Sequence, residues 1–508
     1  VKAASASGVD SRPKGWKFYR DNLEAVLIAA ILALIIRHYS IESFEIPTGS
    51  MAPGLHGVHF EGTCPNCSTV NSVGIRTDPF SGKVPPRHWS DGFIYDGPCS
   101  ECGTGVREAA RSSRPAPKVY CPSCRDHVVA DPEAWSRSRF ATTDVWCREC
   151  TLRFRVAYRP DEVQGGHKIL VNKFAYHPGD PGRWDVIVFR FNRERNYIKR
   201  LVGMPGETIQ IVDGDVHIDG EVCRKPTDVQ EILWAKVYDS RVKERGIVVP
   251  AWNEAPGWIP AGDGSWEFNA LDAQNPTGIT YQRPVLNRYS YNGGDFRMGT
   301  TVVRDLALRL RVRAEEPKPG KSDAALILDI VNEPSRYRLT ISVENSGGRI
   351  EILQEGGDPT VLIEIPTARL RPGQDHEVEF YCADRNLRLR IDGETIADVP
   401  LPVTESDSGT SRVEASSVSV LARHCGGHLG RIEILRDIHY TSSGISLKHA
   451  LGNPYQIPVD GFFALGDNSP SSLDSRAWGA LSRSNLLGRG FVIFWPALPG
   501  QFEMGFIR

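Results

Sequence analysis

RWDVIVFRFNRERNYIKRLVGMPGETIQIVDGDVHIDGEV, residues 183–222, is the stretch on which the reading of the fold turns. Within it DVIVF (185–189) and YIKRLVG (197–203) are short runs of β-branched and aromatic residues, so both read as β-strands. DGDVHIDGEV (213–222) carries two Asp-Gly dipeptides and reads as a short hairpin with Asp-Gly turns. Lys199 stands among Tyr197, Ile198, Leu201 and Val202. On an edge strand it would be a surface lysine. On a buried strand, desolvation would lower its pKa and make the neutral amine available as a base.

Working outward, 508 residues exceed what one hydrophobic core serves, and two to four domains are expected. Hydrophobic residues make up 40% and charged residues 24%, which excludes wholesale disorder. Lys and Arg number 60 against 62 Asp and Glu, a net charge of −2, so no nucleic-acid partner is expected. The 48 Gly and 35 Pro predict many turns and a mainly β protein.

Upstream, AVLIAAILALII (25–36) is uninterrupted apolar sequence, shorter than the roughly 20 residues that span a bilayer. Leu23 and Tyr39 extend it, and Glu24 and Arg37 can snorkel to the interfaces. Lys14, Lys17 and Arg20 precede it and favour an inside N-terminus. A cleaved signal peptide is the alternative, but no small-x-small pattern follows within the next few residues. The expectation is a cytoplasmic segment 1–22 and a single-pass transmembrane helix 23–40.

Eight of the 11 cysteines form four CxxC pairs: Cys64/Cys67, Cys99/Cys102, Cys121/Cys124 and Cys147/Cys150. Each pair brings two thiolates to one side of a tight knuckle, and two knuckles supply the four ligands of a closed tetrahedral Zn²⁺ site. Taken in chain order they predict two ribbons, each with one structural Zn, separated by RSSRPAPK (111–118). Disulfide bonding is the alternative, since an extracytoplasmic location permits it. Cys223, Cys382 and Cys425 fall outside the pattern and read as buried or unpaired thiols.

Two further stretches carry chemistry. FEIPTGSM (44–51) places Ser50 just beyond the apolar run, and a serine hydroxyl is a poor nucleophile without a base. FFALGDNSPSSLDSRAWG (462–479) is a polar loop after an apolar strand; its Ser472, Asp474 and Arg476 could orient a buried lysine.

At these residues the chain resembles type I signal peptidase, the membrane-anchored serine protease of peptidase family S26 with a Ser–Lys dyad. The resemblance rests on IPTGSMAPGL (46–55), ILVNKFAY (169–176), DVIVF, NYIKRLVGMPGE (196–207) and ALGDNSPSSLDSRAWG (464–479), in the family's order. It implies Ser50 as nucleophile and Lys199 as general base. It also implies that the Thr48 hydroxyl joins the Ser50 N–H in an oxyanion hole, that Ser472 orients the lysine, and that Asp474 and Arg476 form a supporting ion pair. Trp184 stands where the family has glycine, and His167, in place of an aspartate, reads as a structural surface residue.

The implied architecture is a signal-peptidase-like β-fold catalytic core over 41–56, 165–227 and 444–508. A double zinc-ribbon-like insertion occupies 57–164 and a jelly-roll-like β-sandwich 228–443. The second insertion repeats strand-like alternation, as in VRDLALRLRV (303–312), and resembles concanavalin/laminin-G-like sandwiches. That resemblance implies a glycan or protein ligand, with a purely structural cap as the alternative. The function implied is removal of signal peptides from exported preproteins at the outer face of the inner membrane. Its partners would be the lipid bilayer and preproteins with small side chains at the first and third positions before the cut. A catalytically inactive, membrane-tethered binding protein is the alternative.

Overall fold

The computed structural model describes the chain except residues 1–13, 76–89, 100, 111–117, 122, 125, 130–135, 158–161, 177–178, 193–194, 247, 294–299, 345–346, 355–356, 402–414, 442–446, 497–504 and 508. The described chain is mainly β, as its turn-rich composition predicts.

The first half of the stretch, Val186–Asn192 and Arg195–Gly203, forms the middle of an eight-stranded sheet, while its hairpin, 208–222, belongs to a separate four-stranded sheet with Tyr455–Gln456. The order of the larger sheet is Ile41–Glu45, Lys168–Asn172, Leu486–Trp495, Val186–Asn192, Arg195–Gly203, Gly461–Leu465 and Leu481–Ser482, with Gly505–Phe506 added beside Leu486–Trp495. Arg195–Gly203 is therefore central rather than an edge, with Ile187 opposite Lys199 on one side and Leu465 opposite Arg200 on the other. Both faces of the sheet are covered. Val186, Val188 and Ile198 pack with Ile46, Met51 and Ile169 on one face, and Ile187, Phe189 and Leu201 with Phe462 and Ala464 on the other. A strand buried on both faces reads as a continuous apolar run, which is why a lysine inside it is notable.

The predicted hairpin is present. Thr208–Val212 pairs with Asp215–Ile218, and Asp213 and Gly214 both take positive φ (51° and 98°), as a two-residue turn of that twist requires. Trp184, where the family resemblance has glycine, also sits at positive φ (75°) and is buried. A bulky residue there holds a strained backbone that only the surrounding packing maintains.

The large downstream segment folds as two facing sheets. One has Gly426–Arg436 and Leu306–Ala314 at its centre with Asp375–Ala383 beside them. The other is built around Ala325–Asn332, flanked by Ser416–Arg423 and Ser335–Val343. Leu306, Leu308, Leu310 and Val312 point into the shared core, while Arg309 and Arg313 face outward and pair with Glu379 and Asp375. That alternation is the period-two signal read in the sequence. Where the sandwich meets the four-stranded hairpin sheet, Lys225 Nζ is buried between Asp384 Oδ1 (2.5 Å) and Asp437 Oδ2 (2.7 Å). Asp215, Asp305 and Asp384 converge beside it, and Arg304 Nη2 lies 3.1 Å from Asp215 Oδ2.

One expectation is corrected. The four cysteine knuckles do not pair in chain order. The first joins the fourth (Cys64, Cys67, Cys147, Cys150), and the second joins the third (Cys99, Cys102, Cys121, Cys124), so one site is nested inside the other. Strand pairing is the reason: Ser136–Trp146 doubles back along Ser90–Pro98 and delivers the Cys147 knuckle beside the one that follows His59–Thr63. The stretch 111–118 therefore connects two knuckles of one site, and 111–117 lie outside the described residues. The expected span 23–40 falls, but for its last residue, in a 26-residue helix, Lys14–Tyr39, and among the described residues no helix is long and apolar enough to cross a membrane. The side chains of 32–39 lie outside the described set.

Candidate active site

Ser50 lies in the loop that follows Ile41–Glu45. Its preceding limb is tied to the sheet through Ile46 N–H to His167 O at 2.8 Å, and a tight turn is closed by Ala52 N–H to Gly49 O at 3.1 Å. Met51, fully buried among Ile46, Leu55, Ile169 and Val186, anchors the loop and leaves Ser50 at its crest with 7% exposure.

The structure brings Ser50 and Lys199 together across 149 residues of sequence: Lys199 Nζ donates to Ser50 Oγ at 2.6 Å and to Ile198 O at 2.9 Å. Lys199 is 3% exposed. Burial lowers its pKa to about 8, against the opposing pull of the Asp474 and Asp467 carboxylates, while Arg476 lowers it further. The amine is thus poised between its charged and neutral forms near neutral pH. Neutral, it accepts the hydroxyl proton along the same contact.

Asp474 and Arg476 form a fully buried pair beside the lysine, Nη2 to Oδ2 at 2.7 Å and Nε to Oδ1 at 2.9 Å. Asp474 also accepts from Gly466 N–H at 3.1 Å and caps the short helix Ser475–Trp478. The remaining Arg476 donors reach Ser469 Oγ, Ser469 O and Thr441 O. Ser472 lies against the same strand end, where a Cβ on Gly466 would come within 2.2 Å of Ser472 Oγ and 2.5 Å of Ser50 O. Among the described residues Ser472 Oγ has no hydrogen-bond partner, so it approaches the dyad without bonding to Lys199. Thr48 is exposed on the loop, two residues before Ser50.

His167 is buried rather than at the surface: its Nδ1 accepts from His56 N–H at 3.3 Å, a structural contact behind the loop. Sequence reasoning did not single out Arg200, whose guanidinium clamps Asp467 through two hydrogen bonds (2.9 and 2.8 Å) next to the lysine. Nor did it single out Asn468, whose backbone N–H donates to Ser50 O at 3.0 Å. The signal available for both was position. Arg200 adjoins Lys199 in a buried strand, and Asp467-Asn468 opens the polar loop that carries Ser472.

The two cysteine clusters belong to the segment that follows this loop in the chain. Cys64 Sγ is 3.5 Å from Cys150 Sγ and Cys67 Sγ 3.5 Å from Cys147 Sγ in the outer cluster; the inner has Cys99–Cys124 at 3.8 Å and Cys102–Cys121 at 3.5 Å. Four sulfurs bound about 2.3 Å from one tetrahedral ion stand about 3.8 Å apart, so both sets fit a closed four-thiolate metal site. Closed sites of this kind are structural. Elemental analysis of purified protein should return about two Zn per chain with all eight thiols reduced after chelation. Oxidised thiols without metal would overturn this assignment.

Comparison with known proteins follows the same lines. The family model described as signal peptidase, peptidase S26, matches residues 159–252 and 382–495, which include Lys199, Ser472, Asp474 and Arg476 but not Ser50. The chain is 27% identical over 164 residues to signal peptidase I U of Bacillus subtilis, covering 29% of this chain and 82% of that protein. It is 33% identical over 64 residues to signal peptidase I of Bacillus caldolyticus, covering 13% of this chain and 35% of that protein. With signal peptidase I of Pseudomonas aeruginosa it shares 43% identity over 75 residues, 12% of this chain and 26% of that one. The chain thus spans about a third or less of the length of the latter two. The family model and the names of these relatives support the peptidase S26 family. Among solved structures, the carbohydrate binding module CBM66 from Bacillus subtilis aligns at TM-score 0.25 and 8% identity, over 36% of this chain and 93% of that one. Winged bean acidic lectin aligns at TM-score 0.26 and 11% identity, over 37% of this chain and 93% of that one. Likenesses this distant carry no argument about ligands.

Proposed function

We propose that the protein is a membrane-anchored serine endopeptidase that removes signal peptides from exported preproteins. The observation that carries this reading is the 2.6 Å contact between Ser50 Oγ and a buried lysine whose pKa is depressed to about 8. Neutral Lys199 takes the Ser50 proton as Oγ attacks the scissile carbonyl. The resulting ammonium gives that proton to the leaving amine, and a water deprotonated by the same lysine releases the acyl group. The Ser50 N–H and the Thr48 hydroxyl are the donors for the developing oxyanion, a single such donor contributing about 3 kcal/mol to the transition state. Asp474, Arg476 and Ser472 hold the lysine's surroundings in place.

The substrates proposed are preproteins with small side chains at the first and third positions before the cut. The helix Lys14–Tyr39 is proposed as the bilayer anchor, N-terminus cytoplasmic, with the catalytic sheet on the far side. The sandwich is proposed to present a glycan- or protein-binding face. In detergent, wild-type protein should cleave a model preprotein at its signal junction, and Ser50→Ala should reduce the rate by about 10⁴-fold or more. Equal cleavage by both would refute the assignment of the nucleophile.

A further inference from the structure

The nucleophile loop is held from a direction that the catalytic sheet does not supply. The turn Ser290–Asn292 belongs to the sandwich segment and is fastened there by Arg436, whose Nη2 donates to Arg288 O at 2.8 Å and whose guanidinium lies 4.4 Å from the Tyr289 ring centroid. Two residues of this turn reach the neighbours of Ser50.

The Tyr291 ring occupies space that only glycines leave open. A Cβ on Gly49 would lie 1.7 Å from Tyr291 Cε1, and a Cβ on Gly74 would lie 2.1 Å from the same atom. The ring is a wedge between the nucleophile loop and the Val70–Gly74 strand of the outer cysteine ribbon. Its hydroxyl donates to Val58 O at 3.1 Å, and the His56 ring stacks on it at 5.6 Å. Asn292 exchanges two amide hydrogen bonds with Asn468, at 2.9 and 2.7 Å. The Asn468 amide donates in addition to Gly49 O at 2.9 Å, and its backbone N–H donates to Ser50 O at 3.0 Å. Asn468 is fully buried, and both of its side-chain N–H groups are in use.

These contacts act on the geometry of one residue. Peptide units are planar, so gripping the carbonyl of residue 49 fixes the plane before Ser50, and gripping the carbonyl of residue 50 fixes the plane after it. The two soft dihedrals of Ser50 lie between those planes, and with them the direction of its Cα–Cβ bond, which carries Oγ toward Lys199. The Ser50 N–H shares its plane with the Gly49 carbonyl and points the opposite way, so the same grip also aims that N–H.

We propose that Tyr291 and Asn292 of the sandwich are positioning residues for the nucleophile, acting through Gly49 and Asn468 on the orientation of Ser50 Oγ and the Ser50 N–H. This rests on Ser50 being the nucleophile, and it makes the sandwich a part of the catalytic apparatus. Misplacing a reacting group by about 1 Å can cost about 100-fold in rate.

The test uses the full chain in detergent, with thermal unfolding measured alongside. Asn292→Ala should lower kcat by about tenfold or more with KM within about twofold of wild type. Asn292→Asp, which keeps the acceptor for the Asn468 amide, should recover part of the loss. Tyr291→Phe should stay near wild type because the ring remains, whereas Tyr291→Ala should lose kcat as Asn292→Ala does. A second readout needs no substrate. In Ser50→Cys, the thiol placed at Lys199 should be alkylated by iodoacetamide faster than an ordinary thiol at neutral pH, because an adjacent ammonium favours the thiolate. Adding Asn292→Ala should slow alkylation at residue 50, followed by peptide mass, about tenfold. Unchanged kcat in Asn292→Ala, or a loss confined to KM, would overturn the proposal. If the wild type cleaved no preprotein, the peptidase reading would fall while the alkylation contrast still decided whether the turn positions residue 50; an unchanged alkylation rate would overturn that.

Discussion

Lys199→Met should abolish cleavage and at the same time make the folded protein more stable near neutral pH. Loss of a general base that works as a unit with its nucleophile costs about 10⁴-fold or more, because the serine hydroxyl then has no acceptor for its proton. The stability gain follows from the lysine's burial. Its pKa falls from 10.5 in the unfolded chain to about 8 in the folded one. Between those values the unfolded chain binds the proton and the folded chain does not, so stability rises with pH across that window. Below about pH 8 both states are protonated and the folded state carries the full penalty, about 3 kcal/mol at about 1.4 kcal/mol per pH unit. Methionine keeps the stem's volume without the charge. Its unfolding midpoint should exceed wild type below pH 8, and the gap should close by pH 10.5. In the wild type, kcat/KM should climb with pH and level off above about 8, as the neutral amine becomes the major form. A midpoint for Lys199→Met equal to or below wild type at pH 7, or a flat pH–rate profile, would argue against a desolvated base.

Asp474→Ala is expected to be the most destabilising single change at the site, by about 3–5 kcal/mol. The carboxylate is the only acid paired with Arg476 among the described residues, and both side chains are fully excluded from solvent. Removing it leaves a guanidinium with neutral partners alone, the Ser469 and Thr441 oxygens, in a dry interior. Replacing both, as Asp474→Ala with Arg476→Met, should restore much of the loss, because no uncompensated charge then remains. Urea midpoints for the two single variants and the double variant measure this directly. A double variant no more stable than Asp474→Ala would mean that the cost lies in packing and the lost helix cap instead.

Much of this was legible in the sequence because the signals are local. Alternation in 303–312 and apolar runs in 185–203 specify strands through side-chain periodicity, and the Asp-Gly dipeptides specify their turns. The candidate dyad was legible through motif resemblance, whereas the 2.6 Å contact itself is a product of the sheet that sets Arg195–Gly203 beneath the Ser50 loop. The pairing of the cysteine knuckles was not legible. CxxC spacing determines each knuckle, but which knuckle meets which depends on strand pairings between residues tens of positions apart. The Tyr291 wedge was equally hidden. Gly49 reads as a turn residue, and nothing near it tells that an aromatic ring from 242 positions away takes the place of its side chain. Whether Lys199 lay on an edge or a central strand was likewise undecidable until its two neighbours were known.

The nesting of the cysteine clusters bears on how the chain reaches its native state. Cys102 and Cys121 close a loop of 19 residues, Cys67 and Cys147 one of 80, and Ser50 and Lys199 one of 149, each inside the next. Closure entropy grows by about 0.6 kcal/mol for each doubling of loop length, and a loop already pinned shortens the effective length of the one around it. Assembly from the inside outward is therefore the least costly route, the small ribbon forming first and the larger one around it. The contact between Ser50 and Lys199 is the outermost ring. A newly made chain would lack that contact until both inner rings had closed, so on the proposed reading its own folding withholds hydrolysis until the scaffold is complete.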